Sequence, residues 1–197
     1  MAAALETTID NYRRNLWQSQ GSYVEIWCEK DAIASILYKE ASSWGVPVFP
    51  LRGFPSGTAL HNAADIFKAQ IRAGKEVYIY YFGDHDPSGT SIDASTISSL
   101  KNVHNVDINF ERVAVLPAQI EEYDLPTRPT KKSDTRSKTF EGESVEIDAM
   151  DMEVLRDMVK DCIVRHINPQ TWSSELAIEE QERATLKQMM GELMGVA

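Results

Sequence analysis

The chain is short of positive charge: 20 Lys and Arg stand against 30 Asp and Glu, for a formal net charge of −10. Grip on a phosphate backbone comes from Lys and Arg releasing counterions, so strong non-specific nucleic-acid binding by the molecule as a whole is excluded. A polyanionic substrate has to meet a local basic patch, a bound cation or the surface of a partner. No run of about 18 apolar residues occurs, which leaves no candidate for a membrane-spanning helix. Residues 1–14 carry Glu6, Asp10, Arg13 and Arg14 and lack the apolar stretch of a secretory signal. Cysteine is scarce as well. Cys28 and Cys162 are the only two, and they form neither a metal-ligand spacing nor a disulfide framework, so a reducing cytoplasm is the expected setting. Internal repeats and low-complexity stretches are missing too.

What remains is an ordinary globular composition. At 197 residues, with 43% apolar and 25% charged, the chain suits one domain with a real core. Leu5, Ile9, Tyr12 and Leu16 recur at helical spacing and predict a helix within residues 1–20. Residues 23–28 are rich in β formers and read as a strand, after which Glu29-Lys30-Asp31 opens a helix with Ile33, Ile36 and Leu37 on its buried stripe. A second short strand is expected over 46–51 and a helix over 57–73. Residues 76–82 are a near-continuous apolar and aromatic run, as a strand covered on both faces requires. Another helix and a strand over 107–116 follow. The alternation predicts a Rossmann-like α/β fold, with a mostly parallel four-stranded sheet and helices on both faces. We therefore expect a core over 21–116. The remainder, 117–197, is expected to be a long loop to residue 147 and then C-terminal helices packing on that core, broken at Asn168-Pro169.

In open parallel sheets ligands bind beyond the carboxyl ends of the strands. Glu29 directly follows the first strand, and Asp84 and Asp86 directly follow the third, 55 residues on from Glu29, room for the intervening helix, strand and helix. Carboxylates brought together repel one another unless a cation neutralises them. Hard oxygen ligands select Mg²⁺ or Mn²⁺. Gly83 suits a tight turn and Gly89 a close approach, while Pro87 and Ser88 suit a helix start that would favour a phosphate. Read blandly, Asp84-His85-Asp86-Pro87-Ser88-Gly89 is a polar turn capping a helix.

The strand ending in Cys28-Glu29-Lys30-Asp31-Ala32, followed at a distance by Gly83-Asp84-His85-Asp86-Pro87-Ser88-Gly89, resembles the TOPRIM domain shared by topoisomerases, bacterial primases and several nucleases. The branch it resembles most is the topoisomerase VI A subunit with the related meiotic double-strand-break protein. The likeness covers residues 22–116 and, more loosely, 117–167 through Leu125-Pro126 and Val145-Glu146-Ile147-Asp148-Ala149. It implies that Asp84 and Asp86 hold Mg²⁺ and that Glu29 is a third ligand or the general acid/base. Lys30 follows the Glu-Lys pattern of this branch and either meets substrate phosphate or pairs with a carboxylate. Arg52, in the Arg52-Gly53-Phe54 turn, is either a phosphate contact or an ion-pair partner. The branch cuts DNA with a tyrosine on a winged-helix domain ahead of TOPRIM. Here about 21 residues precede the first strand, and neither Tyr12 nor Tyr23 suits a nucleophile.

Other residues carry weaker signals. Arg128, Lys131, Lys132, Arg136 and Lys138 form the only strongly basic run, readable as a clamp on a phosphate backbone or as a solvated loop. His85 is expected to touch substrate or support the site rather than bind metal. Glu25 either aims toward the site or pairs with a basic residue. Met189, Met190 and Met194 read as a packing face or a partner-binding helix. Three functions are in view: Mg²⁺- or Mn²⁺-dependent cleavage of nucleic acid, most simply DNA; a topoisomerase-like subunit that needs a protein partner or a second copy; and a phosphohydrolase acting on a small molecule.

Overall fold

Residues 76–82, Glu-Val-Tyr-Ile-Tyr-Tyr-Phe, hold no small or turn-forming residue, and side chains this bulky are stable in extended backbone only when both faces are covered. In the computed structural model, which describes residues 2–53, 55–129 and 143–193, they form β3 (Glu76–Phe82), an inner strand of the sheet. It pairs in parallel with β1 (Ser22–Cys28) and β4 (Asn109–Ala114), and β1 pairs in parallel with β2 (Val48–Pro50). The order is β2-β1-β3-β4. Register between the inner strands runs from Ser22↔Glu76 to Cys28↔Phe82, so β1 and β3 end level with each other.

Alternation along the strands sorts the side chains onto two faces. Trp27, Val77, Ile79 and Tyr81 point to one, where Leu60, Ala64 and Phe67 of α3 (Gly57–Arg72) and Ile92 of α4 (Pro87–Ser98) close a buried core with Leu100. On the other face, Arg165 stacks over the Tyr80 ring at 5.1 Å and the Tyr80 hydroxyl shares a hydrogen bond of 2.6 Å with His166 Nε2. These residues follow α6 (Met152–Val164), which buries Leu155, Val159, Cys162 and Ile163 and packs on α2 (Asp31–Ala41). Side-chain caps start the helices where the sequence supplies them: Ser56 Oγ accepts the Ala59 amide and Asp151 Oδ1 the Glu153 amide.

Some expectations from sequence are corrected. The segment after β4 does not run as plain loop, because α5 (Pro117–Glu122) occupies its start. Pro117 is pre-set for a first helical position and Gln119 Oε1 accepts the Leu116 amide at 2.8 Å; six residues are too few to show a helical period. β2 and β4 are shorter than expected, and α1 (Ala2–Asp10) stops well before Leu16.

The chain divides into two compact units. Residues 21–166 hold the sheet. The second unit joins residues 1–20 to α7 (Pro169–Leu193), with α1 against α7. In it, the Arg14 guanidinium donates to Glu175 and Glu182, its amide donates to Glu179, and Trp17 meets Trp172 edge-on at 5.8 Å. Met189 on α7 is exposed. Among the described residues no helix is long and apolar enough to cross a membrane.

His166 gives this core a pH response. Burial and the nearby Arg165 charge hold its imidazole below the ordinary value of 6.5, against weaker opposing pulls from Glu111 and Glu76. A base depressed in this way contributes stability that is complete above pH 6.5 and is lost as pH falls toward the folded value. Thermal unfolding followed from about pH 8 to about pH 5 should show the native chain losing more stability below pH 6.5 than His166→Gln. Parallel curves for the two would contradict this.

Candidate functional site

The direction of the chain around the sheet reverses between β1 and β3. β1 delivers the chain to α2 and outward to β2, whereas β3 delivers it to α4 on the opposite face and outward to β4. Such a reversal opens a crevice at the carboxyl ends of the two inner strands. Glu29 and Asp84 stand there. The Glu29 amide continues the ladder to the Phe82 carbonyl at 3.0 Å, and Glu29 Oε2 accepts the Asp84 amide at 3.0 Å. Each strand tip thus holds the other.

The loop from Gly83 to Gly89 is shaped by what its glycines exclude. A Cβ on Gly83 would lie 2.6 Å from the Tyr81 hydroxyl, on a ring that is itself fully buried and cannot give way. A Cβ on Gly89 would lie 2.3 Å from the Asp84 carbonyl oxygen. Close approach therefore explains Gly83 as well as Gly89. Asp86 caps α4, its Oδ1 accepting the Gly89 amide at 2.6 Å. Asp84 turns elsewhere, and its Oδ1 accepts the Ile147 amide at 3.0 Å. The fold thus uses the two aspartates differently, although both remain at the loop.

Arg112 of β4 clamps this loop. Its guanidinium donates to the carbonyls of Gly83 (3.2 Å), Asp84 (3.1 Å) and Gly89 (2.7 Å), pairs with Asp93 through Nε at 2.6 Å, and lies 5.0 Å from the Tyr81 ring centre. A planar fork suits that many acceptors, which an ammonium could not reach together. The sequence signal for it was a lone cation in a strand otherwise expected to be covered.

Lys30 is the cation at the tips. Its Nζ lies 3.1 Å from Asp84 Oδ2, 3.4 Å from Asp148 and 3.6 Å from Glu146. The Lys30–Asp84 side chains are 30% and 11% exposed, against 73% and 60% for the Arg52–Asp31 pair. Exposed pairs contribute about 0–1 kcal/mol, so Lys30 carries more weight. Of the alternatives open for these residues, Lys30 and Arg52 both form ion pairs. Burial works against the Lys30 charge, but Asp84, Asp148 and Glu146 hold its pKa above the ordinary value. Glu29 is also pushed up, first by burial and then by the charges of Asp84 and Asp86, against the Asp84 amide and Lys30. Glu146 and Asp148 belong to the site although sequence reasoning gave them no role; the stretch containing them was noticed only for its likeness.

His85 is buried and its backbone bonds to Val145 in both directions at 2.9 Å. Burial and the Arg112 charge hold its imidazole below the ordinary value, which favours the neutral form near pH 7. Ser88 is half-buried in the first turn of α4. Next to the His85–Val145 bridge, Arg128 and Ser144 pair through two backbone bonds of 2.8 Å, so both described ends of the basic excursion lie against the site. Lys131, Lys132 and Arg136 fall outside the described residues. Glu25 does neither of the things expected of it: its carboxylate accepts the Tyr23 hydroxyl and the Trp27 indole N–H.

No protein-family model and no curated protein matches the chain. What the residues can hold is therefore judged from the donors themselves. Asp84, Glu146 and Asp148 offer hard oxygen atoms around Lys30, with Glu29 bonded to the Asp84 amide and Asp86 to the Gly89 amide beside them, and among the described residues the Tyr81 hydroxyl, buried behind Gly83, has no hydrogen-bond partner. Among the described residues no three acidic, histidine or cysteine side chains are gathered into a ready-made cage. Mg²⁺ requires none, since it keeps several waters and takes one or two carboxylates with substrate phosphate. The donors present are oxygen atoms, the kind a hard divalent cation takes.

Arg112→Ala should destabilise the chain by about 2 kcal/mol in urea unfolding, because it strips a part-buried partner from Asp93 and from the buried loop carbonyls. Arg112→Lys should recover only part of that, and a neutral Arg112→Ala would show that the loop holds without the clamp.

Proposed function

We propose that the chain is a TOPRIM-like protein that handles phosphodiesters of nucleic acid with Mg²⁺ or Mn²⁺, most simply by cutting DNA. The observation that carries this reading is the meeting of Glu29 and Asp84 at level tips of adjacent parallel strands, joined by the 3.0 Å bond from the Asp84 amide. Asp84, Asp86 and Glu29 would hold the cation, and the cation would supply Lewis-acid polarisation of the phosphodiester and a more acidic water. In the alternative role, with the cation left to Asp84 and Asp86, Glu29, whose carboxylate is oriented by the Asp84 amide, would take or return the proton of the attacking water. Lys30 keeps the carboxylates together before substrate arrives and offers its ammonium to a phosphate oxygen afterwards. The first turn of α4, with Ser88, presents its amides to the same phosphate.

The net charge of −10 is compatible with this reading because the excursion carrying Lys131, Lys132 and Arg136 leaves and rejoins the fold beside His85. A cation at the tips would supply locally part of the positive charge that the chain lacks overall.

A second reading is a subunit that needs a partner chain to cut; its net charge of −10 leaves the grip on a phosphate backbone to such a partner.

Asp84→Asn keeps an acceptor for the Ile147 amide but removes the charge. It should lower Mg²⁺-dependent cleavage of DNA or RNA by about 100-fold or more, with the unfolding midpoint little changed. Cleavage unaffected by Asp84→Asn would end the reading. Activity that appears only with an added partner chain would favour the subunit, and turnover of phosphomonoesters with indifference to DNA would favour a small-molecule phosphohydrolase.

A further inference from the structure

Glu25 sits mid-strand in β1 with 1% of its surface exposed. Oε1 accepts the Tyr23 hydroxyl at 2.6 Å and Oε2 accepts the Trp27 indole at 2.7 Å. Both donors are neutral, and among the described residues no cation pairs with this carboxylate. A buried carboxylate without a counter-charge is costly, and two neutral hydrogen bonds offset only part of that cost.

Beside Glu25 opens a cavity of about 240 Å³, walled by Trp27, Phe49, Leu51, Leu60 and Ile66. It lies on the α3 face at the edge of the sheet, because β2 is the outermost strand. Phe49 and Ile66 keep 43% and 42% of their surface exposed and form its outer, apolar side among the described residues, while Glu25 and Trp27 lie at its buried end. Apolar walls with one fixed polar group are the usual make-up of a small-molecule site. A hydrated metal ion does not suit it, since among the described residues a single carboxylate is the only charged group in the lining. A neutral apolar guest would leave the carboxylate still lacking a counter-charge. An organic cation meets both requirements, and the Trp27 ring adds a face that attracts cations.

We propose that this cavity binds a small organic cation, an amine or amidine with an aromatic or aliphatic body, whose nitrogen meets Glu25 and whose apolar part fills the space between Trp27, Phe49, Leu60 and Ile66. The hydrogen bonds from Tyr23 and Trp27 hold the carboxylate in place, and the arriving cation supplies the counter-charge that burial denies it. This binding does not depend on the chemistry proposed for the strand tips.

The Trp27 indole N–H reports directly because it is bonded to Glu25. The ¹⁵N-labelled full chain is titrated with benzamidine and benzylamine, and with benzyl alcohol as a neutral match in shape. The two cations should shift that resonance saturably and bind at least about tenfold tighter than benzyl alcohol, the size of one charge-assisted hydrogen bond. Glu25→Gln should bring the cations and the alcohol to within about twofold of each other. Ala63→Phe, which fills the cavity from α3 and leaves the Glu25 side chain itself unchanged, should abolish all three shifts and carries the test alone if Glu25→Gln fails to fold. Benzyl alcohol binding as tightly as benzamidine, no saturable shift with any compound, or Ala63→Phe binding like the native chain would each overturn the proposal.

Discussion

The bond from the Asp84 amide to the Glu29 carboxylate ties two strand tips that like charge would otherwise push apart. Burial acts with the Asp84 and Asp86 charges to push the Glu29 carboxyl above its ordinary range. The surroundings of the tips can be read as responses to that repulsion. Lys30 reaches Asp84, Glu146 and Asp148 together, the Ile147 amide takes one oxygen of Asp84, and the Gly89 amide takes one of Asp86. Arg112 holds the carbonyls of the loop from behind. Each of these acids therefore also has a structural partner, the Asp84 amide for Glu29, the Ile147 amide and Lys30 for Asp84, and the Gly89 amide for Asp86.

Much of this arrangement was legible in the residues. The covered strand announced itself because seven consecutive bulky residues, Glu76–Phe82, leave no other conformation that buries them. Alternation of strand and helix predicted the parallel sheet, and the positions of Glu29 and Asp84 just past strand ends placed them at the same edge. Their actual proximity depended on register, which only the level ending at Cys28↔Phe82 supplies.

The parts that were not legible are those made by long-range pairing. Arg112 is distant in sequence from the loop it clamps, and nothing local to β4 says which carbonyls its fork will find. Glu146 and Asp148 reach Lys30 because the chain returns to bond Val145 to His85, a pairing with no periodic signature. Glu25 was ambiguous for the opposite reason: its partners, Tyr23 and Trp27, are its nearest same-face neighbours on the strand, and reasoning toward distant partners overlooked them. Gly83 was read as a turn glycine when the deciding fact is the Tyr81 ring beside it.

The central claim is that a divalent cation settles at the β1 and β3 tips. Titrating the ¹⁵N-labelled chain with Mn²⁺ tests it most directly, since the paramagnetic ion broadens amides near where it binds. The account predicts that the Asp84 and Ile147 amides broaden first, that Asp31→Asn leaves this unchanged, and that Glu29→Gln combined with Asp86→Asn removes it. Broadening that spreads over the acidic surface at large, or that begins at the Glu175 and Glu182 cluster, would contradict it.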